Sequence, residues 1–192
     1  MKKIISLIFL VVVSLFASGC VSTIPFKVKH DALKHPPATR GGEVAIKPFT
    51  DTRGVTNAMQ IGGKWDKAQP VYLAKQQQPV AGIVTDGLRE ALEKVGYKVQ
   101  STPAANVAVL EGNMSEFWLT DNWKGAFCKI AVQLRLRRGE SGQVLWEKAI
   151  RSEEDDWAII PNAMTAAMNT LLKSAMAEFS SQAFADAVAT GK

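Results

Sequence analysis

A chain of 192 residues with 47% hydrophobic and 21% charged residues suits one domain with a sizeable core, which excludes a disordered, collagen-like or coiled-coil polymer as a description of the whole. Two cysteines are too few for a disulfide scaffold, and one apolar stretch, at the start, excludes a bundle of membrane-spanning helices. The net charge of +5 comes without the clustering or reading motif that nucleic-acid binding needs, so no nucleic acid partner is expected.

Lys2 and Lys3 lead into an apolar run from Ile4 to Phe16, and Ala17, Ser18 and Gly19 stand before Cys20. Charged region, apolar region and small-residue cleavage site together read as an export signal over residues 1–19. As a helix the apolar run reaches about 20 Å, short of the ~30 Å hydrocarbon core of a bilayer, so it is no lasting anchor. Ala17-Ser18-Gly19-Cys20 resembles the lipobox of bacterial lipoproteins, with Ala17 where that family most often has Leu. The resemblance implies that Cys20 is acylated, palmitate being a usual chain, and becomes the first residue of the mature protein. Two or three acyl chains hold a protein on a bilayer far better than one. Val21, where an Asp would retain the protein, implies carriage to the outer membrane with the domain facing the periplasm. The alternative is ordinary secretory cleavage followed by an incidental cysteine.

Residues 20–42 carry Pro25, Pro36, Pro37, Gly41 and Gly42 without a sustained period and read as a flexible tether. His30 and His35 both lie in it, with no carboxylate or thiol cluster to make a metal site. The domain is expected over 43–192. Alternation from Glu43 to Phe49 predicts a first strand that ends at Pro48. The loop from Thr50 to Gln78 is long for a compact domain, with Val71 to Leu73 as a short extra strand. A helix is expected from Pro79 to Val95, with Gly96 just beyond its end; Val80, Ile83, Val84, Leu88, Ala91, Leu92 and Val95 form its apolar stripe.

Short and longer strands follow at 97–99 and 106–119. The clearest strand is Phe127 to Arg137, with Cys128, Ile130, Val132, Leu134 and Leu136 on one side and Lys129, Gln133, Arg135 and Arg137 on the other. A dry face and a wet face point to an antiparallel sheet covered on one side. A turn at 139–142 returns the chain through Val144, Trp146 and Ile150. After the acidic run Glu153 to Asp156, a second helix is expected from Pro161 toward Val188. The predicted class is α+β, a mainly antiparallel sheet of about four to five strands with two helices packed on one face.

Signatures for a catalytic serine, a phosphate loop, a zinc helix or a redox cysteine pair are absent from the sequence. No catalytic residue, no cofactor and no metal are therefore expected, and the domain is read as non-enzymatic. The carboxylates Glu111, Glu116, Asp121 and 153–156 read as solvated surface. Trp65, Trp118, Trp123 and Trp157 are core lids or anchors for a partner. Met164, Met168 and Met176 read as core filler or, alternatively, as the lining of a groove for an apolar ligand. Cys128, alone in the mature domain, reads as a small buried residue.

Val44 to Arg53, with its Asp51-x-Arg53 turn, the stretches Asp86-Gly87-Leu88 and Gly96-Tyr97-Lys98-Val99, and Val144-Leu145-Trp146 before a long last helix resemble small outer-membrane lipoproteins of the YajG type. The resemblance implies a location and a fold and carries no reaction. Asp51 and Arg53 either pair and cap the loop or bind a partner. The function expected is that of a membrane-anchored accessory or interaction module of a cell-envelope complex, with Asp51, Arg53, Trp65, Trp118 and Trp123 as candidate contact residues. The alternative is an auxiliary subunit for a lipid or other apolar ligand held at Met164, Met168 and Met176.

Overall fold

The computed structural model describes residues 22–24, 41–64, 71–74, 78–104, 106–122, 125–139, 142–156 and 160–191. The export signal, Cys20, both histidines, Trp65, Trp123 and Trp157 lie outside the described residues. In chain order the elements are β1 (Ser22–Ile24), β2 (Glu43–Ile46), β3 (Thr50–Asp51), β4 (Gln60–Lys64), β5 (Val71–Ala74), α1 (Val80–Val95), β6 (Lys98–Gln100), β7 (Ala108–Asn122), β8 (Gly125–Arg138), β9 (Val144–Asp156), α2 (Ile160–Phe179) and α3 (Gln182–Thr190).

The long strand β7 organises the sheet. One of its edges pairs with β8 along the full length, and β8 pairs with β9, both antiparallel. Its other edge takes three short strands in succession, all parallel: β2 at Ala108 to Leu110, β3 at Asn113 and Met114, and β4 at Leu119 to Asp121. Beyond β2 lies β6, beyond β4 lies β5, and beyond β5 lies β1.

The expected fold class is corrected here. The chain is α+β, but among the described residues its sheet is mixed and has nine strands, not four or five mainly antiparallel ones, and three helices are described where two were expected. The missing strands are β3, β4 and β1, too short or too glycine-rich to show an alternating pattern. Gly62 explains why the segment looks loop-like. A Cβ there would stand 1.9 Å from the carbonyl oxygen of Leu119, so β4 approaches β7 only because that position has no side chain. Parallel pairing is likewise invisible to periodicity, which reports faces and not directions.

The last helix is broken at Ser180 and Ser181. The Ser180 hydroxyl donates to the Met176 carbonyl at 2.7 Å, and the Ser181 side chain accepts from the Phe184 N–H at 3.2 Å, restarting the chain as α3. Phe184 then packs against Tyr97, Trp146 and Phe179, with ring centroids 5.5, 4.9 and 4.9 Å away. The Tyr97 hydroxyl donates to the Phe179 carbonyl at 3.1 Å.

One hydrophobic core joins the three helices to the inner face of the sheet. Along β7 the inner positions are Ala108, Leu110, Gly112 and Met114, then Phe117 and Leu119. The count shifts by one because Ser115 is an extra residue in a β-bulge against β8. Without that shift, strict alternation would send Phe117 and Leu119 outward. The expected dry positions of β8, Cys128 to Leu136, all lie in the core. α1 and α2 meet at Gly87, where a Cβ would stand 2.8 Å from the Met168 methyl.

Candidate functional site

The face of the sheet turned away from the described helices carries the site, and the turn after β3 builds its wall. Thr52 ties that turn to β7, its N–H and hydroxyl donating to the Met114 carbonyl at 2.9 and 3.0 Å. The Arg53 N–H folds back on Asp51 Oδ1 at 3.1 Å. The guanidinium grips the same carboxylate, Nε to Oδ1 at 2.9 Å and Nη2 to Oδ2 at 2.6 Å. Its Nη1 donates to the carbonyls of Phe117, at 3.1 Å, and Gln60. Asp51 and Arg53 thus pair and cap the loop, and one cation ties both loop ends to β7. Burial pushes the Asp51 carboxyl up, while the hydrogen bonds and charge of Arg53 outweigh it and hold the pKa below the usual carboxylate value.

Between this wall and the outer face of β7 and β8 lies an open recess of about 500 Å³. Val55 and Gly54 stand on the loop side, Trp118 and Phe127 on the sheet, and Ser115, Thr120, Glu116 and Lys129 supply polar atoms. Trp118 lies opposite Lys129 in the antiparallel register, and Thr120 opposite Phe127, so the two aromatic residues are diagonal neighbours on one face. The Lys129 ammonium stands 5.1 Å from the centre of the Phe127 ring. A second recess of about 240 Å³ continues past Glu116 and Lys129 to Arg151 and Glu153. The first has the size of a small-ligand or side-chain pocket.

The outer-face cations do not form a free positive patch. Lys129 pairs with Glu153 at 3.3 Å, Arg135 with Glu147 at 2.6 Å, and Arg137 with Glu111. Bonds from Arg135 and Gln133 hold the Glu147 carboxyl below its usual value. Glu116, shared by the two recesses, and Arg151, in the second, have no ion-pair partner among the described residues.

Of the expected site residues, Arg53 and Trp118 share the recess and Asp51 sits behind Arg53 as its brace. Trp65 and Trp123 lie outside the described residues. Met164, Met168 and Met176 are on the opposite side of the sheet, 0%, 0% and 3% exposed and packed in the core, so no water-sized space abuts the first two. Phe127, Val55 and Arg151 went unmarked in the sequence. Phe127 alone carried a signal: it shares the parity of Lys129 and Gln133, an aromatic on the wet face.

Among the described residues no group of three or more His, Cys, Asp or Glu is arranged to hold a metal ion, and no helix is long and apolar enough to cross a membrane.

No protein-family model and no curated protein matches the sequence. Solved structures do share its fold. Protein XCC0632 from Xanthomonas campestris, of family model DUF330, superposes with a TM-score of 0.57 at 12% identity over 90% of this chain and 96% of that one. Hypothetical protein CT253 from Chlamydia trachomatis does so with a TM-score of 0.51 at 9% identity, over 75% and 98%. Lipoprotein GNA1162 from Neisseria meningitidis overlays more loosely, with a TM-score of 0.43 at 12% identity over 71% and 96%. At these identities the first two likenesses show the fold alone.

Proposed function

We propose that this chain is an outer-membrane lipoprotein of the periplasmic side, acylated at Cys20, whose domain is a non-enzymatic interaction module of a cell-envelope complex. The address rests on the Lys2 to Cys20 segment, and the finer likeness to YajG-type lipoproteins rests on the Val44 to Arg53 and Gly96 to Val99 stretches. The role rests on one observation above all: a half-open recess with Trp118, Phe127 and Val55 in its walls, braced by a buried arginine that spends its donors on the protein itself. An aromatic pocket rimmed by polar groups suits an anchoring side chain of a protein partner. For the alternative, an apolar ligand held at Met164, Met168 and Met176, the three methionines are packed in the core.

The test is photo-cross-linking in intact cells with the reactive group at Val55 or Thr120, against Lys173 on the exposed side of α2. One stoichiometric protein adduct at the recess positions and none at Lys173 supports the reading. Extractable phospholipid in place of an adduct, or hydrolysis of glycan or peptide by the purified domain, overturns it.

A further inference from the structure

Strand β1 begins two residues after Cys20, inside the stretch whose composition reads as a tether. Ser22, Thr23 and Ile24 are nonetheless part of the sheet, parallel to Tyr72, Leu73 and Ala74 of β5 and in register with them. The registers fix where β1 starts. β5 is antiparallel to β4, with Val71 opposite Gly63, and β4 is parallel to β7, with Lys64 opposite Asp121. Ser22 therefore lies at the end of the sheet where β4 closes at Lys64, where Asn122 and Gly125 face each other across the β7–β8 turn, and where β9 closes at Asp156 opposite Ala126. Val144 is at the other end, about 40 Å away along β9.

We propose that β1 is a clasp joining the lipid anchor directly to the sheet, so that the domain rests on the bilayer by the end marked by Ser22, Lys64, Asn122 and Asp156. The inference rests on the lipoprotein reading above and adds an orientation to it. With Ser22 paired, the acylated residue stands within about 7 Å of the sheet, whereas a free segment from Val21 to Gly42 would allow about 70 Å.

The test uses the full acylated chain reconstituted in phosphatidylcholine vesicles containing a headgroup-nitroxide lipid. A fluorophore is attached at Asp155→Cys or at Gln143→Cys, exposed positions at the two ends of β9, the buried Cys128 staying unlabelled. Quenching is expected to be at least about threefold stronger at 155 than at 143, following the ~40 Å separation. Thr23→Pro, which places a proline in the middle of this three-residue strand, should abolish that difference while the chain stays on the vesicles. Thr23→Cys with Leu73→Cys should cross-link on mild oxidation and keep it. Equal quenching at both ends of an acylated chain overturns this inference alone, as does a difference that survives Thr23→Pro or a cross-link that never forms. Absence of acyl label on Cys20 overturns the lipoprotein reading and this inference with it.

Discussion

Arg53 and Asp51 meet as a two-pronged pair whose side chains are 3% and 18% exposed. Arg53→Ala would leave that carboxylate and the Phe117 and Gln60 carbonyls without their donor in a closed place. A loss of about 2–4 kcal/mol is expected, read as a lower urea midpoint with an unchanged slope. Arg53→Lys should recover less than half, since an ammonium cannot serve two carboxylate oxygens and two carbonyls in one plane. A midpoint equal to that of the parent would show that the loop stands without its clamp.

The same pair sets a pH dependence. Asp51 is held below its usual pKa by Arg53 despite the opposing effect of burial, so the folded state binds this proton less readily than the unfolded chain. Its contribution is therefore complete above the unfolded carboxyl's pKa and disappears as pH falls through the lower folded value. Comparing parent and Asp51→Asn by denaturant unfolding should give a gap that is constant from about pH 6 to 8 and narrows below about pH 4. A gap that widens in acid would mean that the folded state holds this proton more tightly than the unfolded chain.

Gly62→Ala is expected to cost about 2 kcal/mol or more, because the new methyl meets the backbone of Leu119 and no side chain can yield. The damage should be local. Amide exchange at Gly63 and Lys64 should quicken, while Val132 and Leu134 in the middle of β8 keep their protection. Uniform loss of protection would mean that β4 is integral to the core and not an appended edge.

Cys128 is fully buried, and burial pushes its thiol up to about 12. Thiol reagents at pH 8 should leave it untouched in the folded domain and modify it at once in denaturant. Rapid labelling of the native protein would show that β8 opens locally.

The sequence made the largest strands and the first helix legible because each buries one face along many residues. Cys128 to Leu136 and the Val80 to Val95 stripe show their periods plainly. It hid what depends on only a few residues. Thr50 and Asp51 form a two-residue strand, Gly62 and Gly63 carry no side chain to alternate, and Ser115 resets the parity of β7 without any composition cue. At the site, Arg53 and Trp118 stood out by residue type. Val55 and Arg151 did not, because they reach the recess only through the β7 register and the fork that folds the loop over it.

β7 also imposes an order of assembly. β3 has no partner among the described residues except β7, and β2 and β4 reach the main body of the sheet only through it. Synthesis makes the amino-terminal segments first, yet those segments have no template until the residues around 108–122 arrive. The hairpins of β7, β8 and β9 close locally over short turns, so the carboxy-terminal half is laid down early and the earlier-made strands are added last. In a chain that emerges amino terminus first, the front part therefore waits unpaired until the back part has taken shape.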